Sequence, residues 1–287
     1  MPPSARNPIK RELANRYSQF SSIFADLGEE LEKHLEDNPA NKVIPHTYNG
    51  LRYESFSYGK VQSLLKRTST GRLGPQQETV RGWLSDDIIN AYLNLLCQDV
   101  KDFGYHSRAA CIDSIAMGCL MDGKSIDRGL QQSNVDGPNF FSKEMIFMPY
   151  LRDGNHWVLI VVFPQRRKIV HLDTFGLANT AIVQNVRQLI KEQHPSPVEQ
   201  LDWPCYNLLD DIQSPNSAAC GIFVLSFASS YTYGFTEADD LPDSLALRAE
   251  HMPYTNLDLK HRPGVEREFK RTFGNKRLRV AAELLTG

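Results

Sequence analysis

Residues 156–176, with the sequence HWVLIVVFPQRRKIVHLDTFG, contain the two most strand-like segments of the 287-residue chain. The first, residues 157–163, is an unbroken run of apolar side chains, most of them aromatic or β-branched, which is typical of a strand covered on both faces. The second, residues 168–172, follows a turn over 164–166, so the two segments predict a β-hairpin. A short apolar segment over 145–148 predicts another strand just before them.

Helical patterns flank this hairpin on both sides. Residues 88–96 place apolar side chains at helical spacing, and Ser85 before them is the predicted N-cap residue. Residues 180–192 predict another helix, and residues 220–231, apolar on nearly every side, predict a buried central helix. We expect one more helix over residues 111–121. Helices packed on a short sheet predict an α+β domain, with an α/β domain as the alternative.

The first 50 residues differ in pattern from the rest of the chain. Apolar side chains recur at steps of three or four over residues 12–35, which predicts a helix with one apolar face. This helix either docks on the main domain or binds a partner. Residues 37–50 are rich in Asn and Pro and predict a linker. We therefore expect an N-terminal extension and linker over 1–50 and a main domain over 51–287.

Composition and charge exclude several classes of partner. The 32 basic and 34 acidic side chains give a net charge of −2, which predicts neither a nucleic-acid surface nor a polybasic membrane anchor. The longest apolar run, residues 157–163, is far shorter than the roughly 20 residues that cross a bilayer. The first 20 residues contain no apolar core of a secretory signal. We expect no membrane partner and no nucleic-acid partner.

The five cysteines predict neither a disulfide framework nor a metal site. Their number is odd and no pair has C-x-x-C spacing, and no ligand-type histidine pair accompanies them. This pattern is typical of a reducing compartment, so we expect the nucleus or the cytoplasm. We expect no metal and no cofactor.

Three residues at the ends of predicted elements suggest nucleophilic chemistry when they are combined. His156 stands at the start of the most apolar strand, Asp173 follows the neighbouring strand, and Cys220 opens the most apolar helix. A carboxylate that accepts from one imidazole nitrogen fixes the tautomer and leaves the other nitrogen as a base. A helix N-terminus and a nearby imidazole both favour the thiolate form of a cysteine. Upstream, the Gln213 amide could donate to a developing oxyanion.

Each of these residues also has an ordinary structural explanation. A lone cysteine in an apolar helix is usually a small core residue, and an Asp before Thr-x-Gly often caps a turn. A histidine before a strand is often only a turn residue. The order His156, Asp173, Gln213, Cys220 is much harder to obtain by chance, so the combination predicts a cysteine-type catalytic site.

Four stretches of the chain resemble the catalytic domain of the SUMO-specific (sentrin-specific) proteases, in the adenain-like group of cysteine peptidases. They are residues 83–89 (WLSDDII), His156-Trp157, residues 172–174 (LDT), and Gln213 followed by residues 220–224 (CGIFV). The spacings of 17 residues from His156 to Asp173 and 47 residues from Asp173 to Cys220 also match this family. The resemblance covers roughly residues 58–227.

The resemblance implies a papain-like α+β fold, with a short central mixed sheet flanked by helices and the nucleophile at the N-terminus of a buried helix. It implies that Cys220 is the nucleophile, His156 the base, Asp173 the orienting carboxylate and Gln213 the oxyanion donor. The implied activity is that of a thiol-dependent isopeptidase and C-terminal processing peptidase. The implied partner is the Gly-Gly end of a ubiquitin-like modifier and its conjugates, with SUMO as the first expectation.

The resemblance also implies a substrate site. In the family two tryptophans clamp the glycine tail of the modifier, and their positions match Trp83 and Trp157. A flat slot between two indoles admits glycine and excludes larger side chains. The match at Asp86 implies a charged contact with a basic residue of the modifier. Core packing for the tryptophans and helix capping for Asp86 are the ordinary alternatives.

The chain departs from the family pattern just before the cysteine. The family usually has Gln six residues before the Cys and Asp immediately before it. Here Gln213 lies seven residues before Cys220, Ser214 lies six before it, and Ala219 precedes it. A loop longer by one residue would restore the amide; otherwise Ser214 or a backbone amide serves.

Three rival functions remain open at this stage. The first is a deubiquitinase or a protease for another ubiquitin-like modifier. The second is an acetyltransferase of the same clan, and the third is a non-catalytic module that binds a modifier.

Overall fold

The computed structural model describes residues 37–39, 41–42, 57–65, 83–102, 109–194, 203–207, 219–232, 280 and 284. The helix expected over residues 12–35 and the loop with Gln213 and Ser214 lie outside these residues. The boundary between residues 50 and 51 also lies outside them, so the division of the chain at that point stays a prediction.

Five strands form one mixed sheet in the described part of the chain. In sheet order they are β1 (Ala109–Cys111), β2 (Met145–Arg152), β3 (His156–Phe163), β4 (Lys168–Leu172) and β5 (Cys205–Asn207). The pairs β2–β3 and β3–β4 are antiparallel, whereas β1–β2 and β4–β5 are parallel. The predicted hairpin is therefore the centre of the sheet. The strand expected over 145–148 is longer than predicted, because its ladder with β3 runs on to Arg152.

Helices cover this sheet, as the sequence predicted. Those described are α1 (Tyr58–Leu65), α2 (Asp86–Asp102), α3 (Ser114–Met121), α4 (Asp127–Gln132), α5 (Pro138–Phe141), α6 (Thr180–Gln193) and α7 (Cys220–Thr232). The helices expected after Ser85, over 180–192 and over 220–231 correspond to α2, α6 and α7. None of the helices in these described ranges combines the length and the apolar character needed to span a bilayer.

The helix expected over 111–121 is wrong at its N-terminal end. Cys111 belongs to β1, and α3 begins only at Ser114. Asp113 sets this start, because its Oδ1 accepts a 2.7 Å hydrogen bond from the Ala116 amide and caps the helix. Strands β1 and β5, with three residues each, were missed because so short a segment shows no period.

β3 is buried at every position because both faces of the sheet are covered. Alternate side chains of a strand point to opposite faces. One set, which includes Trp157 and Leu159, joins an apolar core with residues of α2 and α7. The other set, which includes Val158 and Ile160, joins a second core with residues of α3 and α6. The unbroken apolar run therefore serves two cores at once.

α7 is buried along its whole length, as its composition predicted. Its serine hydroxyls are accommodated inside the core because Ser226 and Ser229 each donate a 2.7 Å hydrogen bond to the carbonyl four residues earlier. The helix packs against α2 and β3. This packing holds Cys220, its first residue, beside the end of the sheet where β3 begins.

Candidate active site

His156 and Asp173 meet at one edge of the sheet because their strands are antiparallel neighbours. His156 is the first residue of β3, and Asp173 follows directly after the last residue of β4. The His156 Nε2 atom lies 2.8 Å from Asp173 Oδ1, and both side chains are buried. The structure thus brings together the imidazole and the carboxylate that the sequence singled out.

Cys220 is the third member of this group. It is the first residue of α7, and its side chain interacts with the His156 imidazole. Because Nε2 is engaged by Asp173, Nδ1 is the ring nitrogen left for the thiol. One imidazole therefore links a sulfur on one side to a carboxylate on the other, which is the arrangement that thiol catalysis requires.

The surroundings shift the pKa values of the imidazole and the carboxyl in opposite directions. Burial alone would lower the pKa of His156, but its hydrogen bonds and charge interactions with Asp173 and Cys220 raise that pKa overall. Burial alone would raise the pKa of Asp173. The hydrogen bonds from His156 and the Phe175 amide, with the charges of His156 and Arg152, lower that pKa overall. Both charged forms are therefore favoured at the site.

Two residues that the sequence did not mark complete the surroundings of Asp173. Arg152, the last residue of β2, donates from Nη1 to Asp173 Oδ2. Phe175 donates its backbone N–H to Asp173 Oδ1 at 2.9 Å. Its ring stacks on the His156 imidazole with 4.3 Å between the centroids. The Asp-Gly-Asn turn over 153–155 was the available signal for Arg152, since a short turn there places residues 152 and 156 opposite each other.

The two predicted clamp tryptophans have different environments. Trp157 is buried in the core, and its Nε1 donates a 2.8 Å hydrogen bond to the Leu84 carbonyl. Trp83, the residue before Leu84, has 44% of its surface exposed. A Cβ atom added to Gly221 would lie 3.0 Å from Leu84 Cβ, so the start of α7 also packs on this segment. The structure therefore brings Trp83 and Trp157 to the same neighbourhood as Cys220, and the clamp itself stays a prediction.

Four other residues that the sequence analysis discussed are Asp86, Gln213, Ser214 and Ala219. Asp86 is the first residue of α2 and is partly exposed. Gln213 and Ser214 lie outside the described residues, so the identity of the oxyanion donor stays a prediction. Ala219, which precedes Cys220, is buried, and its carbonyl accepts from the Phe223 amide at 3.0 Å in the first turn of α7.

Three of the other cysteines are poor candidates for the nucleophile. All five cysteines are free thiols. Burial raises the pKa of Cys97 to about 12, and it also raises the pKa of Cys111 and of Cys205. A raised pKa keeps a thiol protonated and unreactive at neutral pH. Within the described residues, no cluster of three or more His, Cys, Asp or Glu side chains is arranged to hold a metal ion.

Known proteins resemble this chain in sequence. Sentrin-specific protease 2 of Rattus norvegicus is 26% identical over 231 residues, which cover 78% of this chain and 35% of that protein. Ubiquitin-like-specific protease ESD4 of Arabidopsis thaliana is 24% identical over 189 residues, which cover 62% of this chain and 37% of that protein. The matched region therefore spans little more than a third of these curated relatives.

The fold is also that of a solved protease domain. The C-terminal Ulp1 protease domain, determined in complex with Smt3, the yeast ortholog of SUMO, superposes with a TM-score of 0.58 at 15% identity. The superposition covers 90% of this chain and 93% of that domain, which confirms the α+β cysteine-protease fold. The family model described as "Ulp1 protease family, C-terminal catalytic domain" matches residues 82–262. This chain therefore belongs to the Ulp1 protease family.

Proposed function

We propose that this chain is a thiol-dependent isopeptidase and C-terminal processing peptidase that cleaves after the Gly-Gly end of a ubiquitin-like modifier, with SUMO as the modifier. The observation that carries the proposal is the connected group of Cys220, His156 and Asp173 in a chain of this family. The choice of SUMO is supported by the names of the relatives, a sentrin-specific protease and a protease domain in complex with the yeast ortholog of SUMO.

In the first half of the proposed reaction, the Cys220 thiolate attacks the carbonyl carbon of the modifier's terminal glycine. A C–S bond forms, and the carbonyl oxygen gains negative charge that the Cys220 backbone N–H and the side chain of Gln213 or Ser214 stabilise. The C–N bond then breaks as His156 gives its proton to the leaving lysine amine. Asp173 keeps the imidazole oriented and stabilises its protonated form.

In the second half, water hydrolyses the thioester. The neutral His156 takes a proton from the attacking water, the C–S bond breaks, and Cys220 leaves as the thiolate. The modifier is released with a free C-terminal carboxylate. Groups of this chain, the modifier and water make and break every bond, so the proposed reaction needs no cofactor.

The proposed site for the glycine tail is the slot between Trp83 and Trp157. It is supported by the exposure of Trp83 and by the hydrogen bond that ties the Trp157 indole to the adjacent Leu84 carbonyl. We assign Asp86 to a contact with a basic residue on the body of the modifier, since it is partly exposed at the start of α2, three residues after Trp83.

Labelling with C-terminal electrophile probes made from SUMO, ubiquitin and related modifiers tests this function. We expect the SUMO probe to label the wild-type chain, and Cys220→Ala to abolish the labelling because the sulfur that bonds to the probe is gone. Cys205→Ser is the matched control and should label normally, because burial raises the pKa of that thiol and keeps it protonated.

Two other results would overturn the proposal. Labelling by the ubiquitin probe alone would make the chain a deubiquitinase. Binding of SUMO without any labelling would make it a non-catalytic binding module.

We also propose that the protein acts in the nucleus or the cytoplasm and that residues 12–35 dock a partner. The first proposal is supported by the five free thiols, which are typical of a reducing compartment. The second is supported by the apolar side chains at helical spacing in that segment.

A further inference from the structure

We propose that Arg152 is a positioning residue, which holds the Asp173 carboxylate in the orientation that His156 needs. The proposal deepens the peptidase function proposed above and rests on it, because positioning matters only if Cys220 and His156 carry out catalysis. Its structural basis is the ion pair between Arg152 and the buried Asp173 on the side away from the imidazole.

The two carboxylate oxygens of Asp173 have separate partners. Oδ1 accepts from the Phe175 amide and lies against His156 Nε2, whereas Oδ2 accepts from Arg152 Nη1. Asp173 has no exposed surface, and a buried carboxylate is unfavourable unless its oxygens are paired. Without Arg152, Oδ2 would lose this charged donor, and only the hydrogen bonds at Oδ1 would set the orientation of the carboxylate.

The β2–β3 hairpin places Arg152 and His156 directly opposite each other as the last pair of the ladder. The turn between them uses two left-handed residues, Asp153 with φ of 53° and Gly154 with φ of 71°. The Asn155 amide closes the turn with a 3.1 Å hydrogen bond to the Arg152 carbonyl. The backbone therefore fixes both cationic side chains at one edge, where they reach opposite oxygens of one carboxylate.

Arg152 also differs from His156 in the permanence of its charge. His156 loses its proton to the leaving amine, whereas a guanidinium stays charged throughout. Asp173 therefore keeps one cationic partner during the half-reaction in which the imidazole is neutral. The exposed Asp153 is a weak competitor, since the Arg152 Nε atom lies 3.8 Å from its carboxylate and its side chain is 81% exposed.

In the described part of the chain, three charged or titratable side chains interact with Asp173: Arg152 on β2, His156 on β3 and His171 on β4. Cys220, on α7, interacts with His156. Arg152 favours the ionised form of Asp173. Its removal should therefore let Asp173 take up a proton at a higher pH, and a protonated carboxyl no longer stabilises the imidazolium.

The kinetic test compares Arg152→Gln with Arg152→Lys, and uses Arg128→Gln on the exposed face of α4 as the matched control. We expect Arg152→Gln to lower kcat for a SUMO–fluorophore conjugate by about 10- to 100-fold with little change in KM, because the reacting groups are misaligned. The acid limb of the pH profile should move to higher pH. Arg152→Lys keeps the positive charge, so the acid limb should lie near its wild-type pH. Its kcat should recover only in part, because an ammonium lacks the planar geometry of the guanidinium.

A double-mutant cycle shows whether Arg152 acts through Asp173. In an Asp173→Asn background, Arg152→Gln should lower kcat by less than about twofold, because the carboxylate that Arg152 positions is already gone. An equal loss of kcat on Arg152→Gln in the wild-type and the Asp173→Asn backgrounds would overturn the proposal. So would an Arg152→Gln enzyme with wild-type kcat and an unchanged pH profile. If Arg152→Gln does not fold, the kcat and acid limb of Arg152→Lys decide in its place.

Proton NMR of the 15N-histidine-labelled chain provides a readout without substrate. The proton on His156 Nε2 that bonds to Asp173 should give a downfield signal in the wild type, and Arg152→Gln should shift or broaden it. An unchanged signal would overturn the positioning role. A wild-type chain that shows the signal but does not cleave SUMO conjugates would instead overturn the proposed function, so the two failures are distinguishable.

Discussion

Asp173 shows how one buried side chain connects the whole site. Its two oxygens are paired with an imidazole, a backbone amide and a guanidinium, so the burial that would keep a carboxyl neutral is offset. The lowered pKa of Asp173 and the raised pKa of His156 are two consequences of the same hydrogen bond. The site therefore favours the charged form of the imidazole more than water does.

Replacing Asp173 by Asn should disable the site while leaving its shape nearly unchanged. We expect kcat/KM for a SUMO conjugate to fall by at least about 100-fold, because a neutral amide neither stabilises the imidazolium nor fixes its tautomer. The pKa of His156, followed by NMR titration, should fall. Asp153→Asn is the control, because this exposed turn residue undergoes the same chemical change and Asn readily adopts its positive φ.

The shifted pKa values of Asp173 and His156 predict how the stability of the fold depends on pH. The folded-state pKa of Asp173 is lowered, so its contribution is present above about pH 4 and is lost as the pH falls through that lowered value. The folded-state pKa of His156 is raised, so its contribution is present below about pH 6.5 and is lost as the pH rises through that raised value.

The stabilisation that Asp173→Asn removes should therefore be largest between about pH 4 and pH 6.5. Urea unfolding of the wild type and of Asp173→Asn across pH 3 to 9 measures this difference in the free energy of unfolding. A stability difference that stays constant over the whole range would contradict this coupling.

At the scale of elements, the start of α7 is packed against the segment that leads into α2. A methyl group at Gly221 would meet the Leu84 side chain at 3.0 Å, and the Leu84 carbonyl is already held by the Trp157 indole. Gly221→Ala should therefore destabilise the fold by about 1–3 kcal/mol through overpacking. It should also lower activity, because it separates Cys220 from the Trp83 segment.

Gly118→Ala is the matched control for this substitution. Gly118 lies inside α3, and an added Cβ meets nothing within 4 Å. Alanine should stabilise this helix by up to about 1 kcal/mol relative to glycine. Thermal unfolding of Gly221→Ala and Gly118→Ala compares the two substitutions. Equal melting temperatures for these variants would show that the contact between Gly221 and Leu84 is not tight.

At the scale of the whole molecule, the sheet separates two apolar cores and its central hairpin contributes to both. The hairpin and α7 were predictable because the unbroken apolar run of β3 and the nearly all-apolar sequence of α7 leave few alternatives to a buried strand and a buried helix. The pairing of His156 with Asp173 then followed from the antiparallel neighbours that carry them. The described elements therefore agree with the predicted class of fold.

What the sequence could not show depends on tertiary contacts. Arg152 in a polar turn looks like an ordinary exposed cation, and only the ladder register places it opposite His156. Phe175 gains its role from the turn after β4, which directs its ring over the imidazole. β1 and β5 are strands because longer neighbours pair with them, not because of their own three residues.

Removal of residues 1–36 tests whether the helix predicted over residues 12–35 is part of the main domain. We expect the melting temperature and the turnover of a SUMO–fluorophore conjugate to stay near wild type. The deletion keeps Lys42, whose carbonyl accepts a 3.0 Å hydrogen bond from the Tyr58 amide at the start of α1. A collapse of stability on deletion would show that the 12–35 helix belongs to the main core.

The rate at which iodoacetamide alkylates Cys220 tests the link between sulfur and imidazole most directly. Mass spectrometry follows it from pH 4 to 9 in the wild type and in His156→Gln, with Cys111 as an internal control of nearly equal burial. We predict that Cys220 reacts at neutral pH much faster than Cys111, and that His156→Gln slows it by at least about tenfold. Equal rates for the two cysteines, or a Cys220 rate indifferent to His156, would contradict the account.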